Sequence, residues 1–397
     1  RVREFRHVRE LRGSWTGLYT HCGRHVQVTA NFDPSLVIAW LIALVIGVIM
    51  VASASSAFDV TGISYGVRHV VYVLASICAF GVVVSLPLNL WEFGHKSCLF
   101  VALLLAVVVL IPGIGSVING SRRWIDFGFF TFQASEWIKF LVLIYIAGFL
   151  SRSGEKVKRG GTELLRPMLW LTPVFLLVLI EPDFGTLVIL LVLVAGLAFL
   201  AGLRLPHFLL AAVFVSGALF LLILISPERT ERLATFLDPW ASASSGGYQL
   251  TQALIAFGRG EITGIGLGDG IQKLFYLPEA HNDFIFAVIA EELGLVGAVF
   301  VISLLGFIVL RGFRIARKAV DVDRSFAGYL AYGAGILIGA QVLINVGVNT
   351  GVLPTKGLTL PFISYGGNSL LVCAMLMGLI QRASFEVSTK TKQGRAF

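Results

Sequence analysis

Charge is what this sequence has least of. Only 14% of its 397 residues are Asp, Glu, Lys or Arg, while 56% are hydrophobic; soluble domains carry about 25% charged residues. A soluble enzyme is excluded, and a mean hydropathy of +0.85 leaves no room for a sizeable polar domain. Cysteine is scarce as well. Cys22, Cys78, Cys98 and Cys373 show neither metal-ligand spacing nor loop pairing, so no zinc site or disulfide framework is implied. Residue-by-residue alternation is missing, which excludes a porin. The net charge of +8 does not indicate nucleic acid, because the basic residues lie between apolar runs and not in one patch. The basic stretch from Arg1 to Arg12 shows no cleavable signal pattern.

What is present is a succession of long apolar runs. At about 20 residues per span, they predict an all-α polytopic membrane protein with ten transmembrane helices, near 34–56, 68–86, 97–113, 134–150, 167–181, 184–203, 207–226, 284–310, 326–349 and 367–382. Residues 1–33 then form a basic cytoplasmic segment, 34–382 the membrane domain and 383–397 a cytoplasmic tail. With the N-terminus inside, the inner segments hold 22 of the 31 Lys and Arg, so the positive-inside rule places both termini in the cytoplasm. Three connections fall on the outer face: Ile114 to Gln133, Pro227 to Asp283, and Thr350 to Gly366. The middle one is long and Gly-rich. Loops carry chemistry when a rigid scaffold positions them, so function is expected at the outer interface. No inverted repeat of the transporter kind is visible.

In the first outer loop, Arg122, Arg123, Trp124 and Asp126 sit beside the membrane, and Glu136 and Lys139 are three apart at a helix start. They read either as an i, i+3 ion pair with an interfacial Trp, or as cations for a lipid-linked diphosphate, which guanidinium groups grip bidentately. Glu181 and Asp183 flank Pro182 at a helix end, where intramembrane charge points to function. Adjacent Glu291 and Glu292 face about 100° apart, and structural pairing with Lys or Arg is the favoured reading. Asp283 falls where water meets the first apolar turn. It is either an N-cap or a general base at headgroup depth, with Glu279, His281 and Asn282 as polar neighbours. The Gly-rich run from Gly258 to Gly270 lacks the ending of a P-loop and is expected to serve tight turns and close packing. Trp240 reads as an interfacial anchor, and the histidines are too scattered for a metal site.

Taken together, S-R-R-W-I-D-F-G at 121–128, Q-A-S-E-W-I-K at 133–139, E-P-D-F-G-T at 181–186, F-L-D-P-W at 236–240, the block from Gly264 to Gly294, and N-V-G-V-N-T-G-V-L-P-T-K-G-L-T-L-P-F-I-S-Y-G-G-N-S at 345–369 resemble the SEDS family. The T-K-G-L-T-L-P form at 355–361 is similar to its division branch. Ala134, Asn282 and Asn368 depart from the usual pattern without removing a charge. The resemblance implies a ten-helix fold and a peptidoglycan glycosyltransferase polymerising lipid II by inversion. Asp283 would be the essential base, and Arg122, Arg123, Lys139 and Lys356 would hold the carrier phosphates. Glu136, Glu181, Asp183, Glu279, His281 and Ser364 would complete the substrate site. Mg2+ or Mn2+ would share the phosphate task, although no ligand set is visible. The implied partners are lipid II, undecaprenyl-diphosphate-linked glycan, a class B penicillin-binding protein of the FtsI type, and division proteins of the FtsQ, FtsL, FtsB and FtsN types. The implied place is the bacterial inner membrane at the septum. The alternative reading is a lipid II flippase.

Overall fold

The computed structural model describes residues 32–56, 64–118, 120–128, 130–159 and 161–394. Nearly all of the expected basic segment 1–33, with Cys22, lies outside the described residues, as does Asn119. In chain order the elements are α1 (Pro34–Ser55), α2 (Tyr65–Ser85), α3 (Leu88–Phe93), α4 (His95–Leu110), β1 (Gly115–Ile118), β2 (Ser121–Asp126), β3 (Thr131–Gln133) and α5 (Ala134–Arg159). They continue with α6 (Leu165–Ile180), α7 (Phe184–Leu200), α8 (Leu205–Ile225), α9 (Pro227–Leu237), α10 (Tyr248–Gly260), α11 (Ile285–Asp321), α12 (Ser325–Asn349) and α13 (Gly367–Gly394). Each of the ten predicted apolar helices has its counterpart among them. Seven are long and apolar enough to cross a membrane, while α4, α6 and α7 are apolar but shorter. This is a multi-pass membrane protein.

The helices form because apolar runs bury against one another and the breaks between them carry caps. Asp33 accepts from Leu36 N with Pro34 at the first helical position, where the missing N–H costs nothing. Asp33 is also held by Arg311 Nε at 2.7 Å, which ties the start of α1 to α11. In the bundle α11 lies along α12, α13 along α2, and α4 along α5. Helix α8 differs: none of its residues is buried.

Three ends differ from expectation. Helices α5, α11 and α13 run to Arg159, Asp321 and Gly394, past the predicted 150, 310 and 382. The apolar run stops where the helix reaches polar surroundings, but no proline follows to stop the backbone, so hydrogen bonding continues. The connections also hold structure that was not predicted. β1, β2 and β3 make a small antiparallel sheet, and α9 and α10 occupy the long connection.

Helix α11 is broken at Gly294, which has φ 67 and ψ −168. The Gly-rich connection fills that break: Leu295 N and Val296 N donate to the carbonyls of Glu261 and Ile262, and Ile265 N and Gly266 N donate to those of Glu291 and Glu292. A side chain at Gly260 would overlap the Ala290 carbonyl and one at Gly264 the Glu292 carbonyl, so the run serves close backbone approach. Glu291 and Glu292 lock it in place. Glu292 pairs with Lys273 Nζ at 2.7 Å and accepts from Ser53 Oγ and Gly268 N. Glu291 accepts from Ile271 N and Gln272 N and meets Arg259 Nε at 3.3 Å. Each glutamate has its own cation, as the 100° separation requires.

Candidate functional site

The pleat of β2 separates two neighbouring arginines, because successive side chains point to opposite faces. Arg122 turns back to the end of α4 and donates to the Leu110 carbonyl at 3.3 Å. Arg123 points the other way and meets Asp183 Oδ2 at 3.3 Å. Asp183 is fully buried and caps α7 through Thr186 N and Thr186 Oγ1. Burial alone would raise its pKa, but Arg123, Lys356 and the Thr186 bonds hold it below the ordinary value.

Lys356 crosses the start of α7 over Gly185, where a Cβ would come within 2.8 Å of Lys356 Cε. That glycine in E-P-D-F-G-T is therefore a passage for the lysine chain. Burial, with the nearby charges of Arg232, Arg123 and Arg229 against the opposing pull of Asp183, lowers the Lys356 pKa to about 8. Arg229 also lies over the Phe184 ring, 5.0 Å from its centroid. These two arginines of α9 belong to the cation group, although sequence reasoning did not single them out. The signal was available in retrospect: they are three apart directly after Pro227, on one face of any helix starting there.

Asp283 stands at the edge of this group. It does not cap α11, whose N-cap is Phe284 with no side-chain cap bond; the N-cap reading is corrected on that ground. Its carboxylate lies against Gly357, where a Cβ would sit 2.6 Å from Oδ2. Among the described residues none donates a hydrogen bond to that carboxylate. Burial and the charge of Glu279, opposed by Arg123, raise its pKa to about 7. Glu181 is fully buried, and among the described residues neither of its oxygens has a hydrogen-bond partner. Burial and Asp183, opposed by Arg123, push it up to about 8.

The remaining predicted residues fall around this core. Glu279 is exposed and accepts from Asn282 Nδ2 at 3.4 Å. His281 packs between the rings of Tyr65 and Tyr365, and burial lowers its pKa although Glu279 opposes the shift. Ser364 Oγ donates to the Asn282 carbonyl and accepts from Leu360 N, both at 2.7 Å, so it joins two loops. Lys139 lies apart: it is 2% exposed and donates to Glu136 Oε1 at 2.7 Å, the ion-pair arrangement. The unusual Asn368 bridges α13 to the first loop through the Thr131 carbonyl and to α5 through Trp137 Nε1. Among the described residues no three of His, Cys, Asp and Glu come together as metal ligands. Asp183 is already engaged by Arg123 and Thr186, so the residues do not form a cation cage.

Buried helices carrying an open carboxylate beside a cation group define a multi-pass membrane protein with a polar site at one end. Residues 34–389 match the family described as cell cycle protein FTSW_RODA_SPOVE, and the chain belongs to that family, the SEDS family of its motifs. It is 45% identical over 363 residues to a probable peptidoglycan glycosyltransferase FtsW of Coxiella burnetii, covering 90% of this chain and 98% of that one. With the protein of the same description from Hahella chejuensis it shares 47% over 362 residues, covering 90% and 91%. Among solved structures it is similar to a chain of a peptidoglycan synthase complex that coordinates polymerization and crosslinking, with a TM-score of 0.73, 27% identity and coverage of 90% and 98%. It is also similar to the rod shape determining protein RodA of Thermus thermophilus, with a TM-score of 0.64, 26% identity and coverage of 89% and 96%.

Proposed function

We propose that this chain is a peptidoglycan glycosyltransferase that polymerises lipid II, with Asp283 as the general base. The observation that carries this reading is the Asp283 carboxylate itself: it has no hydrogen-bond donor among the described residues, its pKa is raised to about 7, and it lies near Arg123. A base is most effective when its pKa lies near the working pH. Asp283 takes the proton of the acceptor 4-hydroxyl as that oxygen bonds to the anomeric carbon of the growing strand. The bond from that carbon to the diphosphate oxygen breaks on the opposite face, so an α-linked donor becomes a β-1,4 linkage.

The departing undecaprenyl diphosphate needs positive charge where its own negative charge develops. Arg123 and Lys356 supply it, with Arg229 and Arg232 of α9 behind them; Arg122 and Lys139 point elsewhere. The ten apolar helices are read as ten spans. An even number returns both termini to one side, and the distribution of Lys and Arg makes that side the cytoplasm. The site then faces outward in the bacterial inner membrane, at the septum. A class B penicillin-binding protein is the proposed partner, by analogy with the similar complex that couples polymerization to crosslinking.

The test is polymerisation by the purified chain given lipid II, with and without the transpeptidase partner. Long glycan strands are expected. Transbilayer movement of lipid II in vesicles without any glycan product would replace this reading with the flippase.

A further inference from the structure

The loop that carries Asp283 is held at three consecutive carbonyls. Tyr365 N donates to the His281 carbonyl at 3.0 Å, and Ser364 Oγ donates to that of Asn282 at 2.7 Å. The Asp283 carbonyl receives two side-chain amides from α12, Asn345 Nδ2 at 2.9 Å and Asn349 Nδ2 at 3.0 Å. The same Asn345 amide also donates to the Leu358 carbonyl at 2.6 Å, two residues beyond Lys356. On its other side, Asn349 Oδ1 accepts from Ala287 N at 3.1 Å, a donor it shares with the Phe284 carbonyl, and so touches the first turn of α11. Both asparagines are buried, at 1% and 0% exposure. They are four apart in a largely apolar helix and so share one face.

We infer that Asn345 and Asn349 are positioning residues: one face of α12 fixes the main chain at Asp283 and at Leu358, holding the Asp283 carboxylate in register with the segment that carries Lys356. The chemistry is specific to a primary amide. Asn345 must donate twice, and Asn349 must donate and accept at once; Asp offers no donor when ionised, and Leu offers neither function. Leaving a buried carbonyl unpaired is costly; losing the Asn345 amide strips the Leu358 carbonyl of its side-chain donor and leaves the Asp283 carbonyl to Asn349 alone, which loosens the two segments relative to each other. Misplacing a reacting group by about 1 Å costs on the order of 100-fold in rate. The inference rests on the reading of Asp283 as base.

The experiment uses full-length chain with its transpeptidase partner and lipid II, comparing wild type with Asn345→Ala, Asn345→Ser, Asn349→Ala and Asp283→Asn. For well-inserted Asn345→Ala the expected result is a roughly 10- to 100-fold fall in kcat with KM changed less than threefold. The acidic limb of its pH profile should move to lower pH, because a released carboxylate gains water. The charged groups facing Asp283 are Glu279 from its own loop and Arg123 from β2, with Lys356 on the adjoining segment; all are unchanged in these variants. Asn345→Ser keeps one shorter donor and should fall in between, and it carries the test if the alanine variant does not insert. Wild-type kcat and pH profile in the Asn345 variants, with Asp283→Asn inactive, would overturn the inference and leave the base intact. An active Asp283→Asn would overturn the base itself. Failure of every asparagine variant to insert would make the pair a folding element and equally overturn the inference.

Discussion

Two groups of buried charge lie at the loop-bearing end of the bundle, and they differ in how fully they are paired. Around the break in α11, Glu291 and Glu292 each have a cation and main-chain donors. Beside α7, among the described residues, the Asp283 carboxylate takes no donor, the Glu181 oxygens have no hydrogen-bond partner, and the cations outnumber the engaged carboxylates. The first group has spent its hydrogen-bonding capacity on its own backbone, as a clamp must. The second keeps capacity open, and open capacity in a site held by rigid helices is what a ligand requires. In the second group Asp283 at about 7, Glu181 at about 8 and Lys356 at about 8 all lie near neutral pH, the range in which a group can exchange a proton during catalysis.

The sharpest way to break this comparison is Asp283→Asn. Asn keeps the size but cannot accept the proton, so polymerisation should fall by about 100- to 10,000-fold at normal insertion and partner binding. A glycan-chain assay beside a thermal unfolding trace separates the two. Substantial polymerisation by the folded variant would move the base to Glu279.

The clamp should respond in the opposite sense. Lys273→Met leaves Glu292 buried without its cation, which costs about 3–5 kcal/mol of stability. The melting temperature in detergent should drop while the rate per folded molecule stays near wild type. A rate loss without any loss of stability would show that the clamp group is chemical after all.

A smaller effect is expected at Lys356. Lys356→Met keeps the stem over Gly185 and removes the charge, so the polymerisation rate should fall by roughly 100-fold, with little change in the melting temperature. Binding of undecaprenyl diphosphate, followed by competition, should weaken in parallel. Unchanged rate and binding would confine the phosphate role to the arginines.

Much of this arrangement was legible in the residues, and the part that was not has physical reasons. Apolar runs place helices because burial sets their length, yet α5, α11 and α13 outrun theirs, since a backbone goes on hydrogen bonding after the apolar surface ends. Asp283, Asp183, Glu181 and Arg123 were marked by charge at a membrane boundary, and Lys356 by the family resemblance alone. Which of Arg122 and Arg123 faces Asp183 depends on the pleat of β2, and β2 lies in a connection with no strand signal. Lys139 could be read as pair or ligand until its depth was known. Arg229 and Arg232 were not singled out because the short α9 was not foreseen. Asn345 and Asn349 were visible as two amides on one helix face, but their partners are carbonyls, which no sequence pattern marks.

The pH dependence of stability tests the open group most directly. In the folded protein Glu181 is raised to about 8 from an ordinary value of 4.5, so the native state binds a proton that the unfolded chain has released. Stability then decreases as pH rises from about 4.5 to about 8, because the slope follows the protons bound in the unfolded state minus those bound in the native state. Asp283, raised to about 7, adds to the same slope over the lower part of that window. Glu181→Gln keeps the shape of the neutral acid and removes its titration. Melting temperatures measured from pH 5 to pH 8.5 should therefore decline less steeply in this variant than in wild type, the curves lying closest at pH 5 and the variant gaining above pH 7. Parallel curves would mean that Glu181 is ionised in the folded protein and paired there, which would place it with the closed clamp and not with the open site.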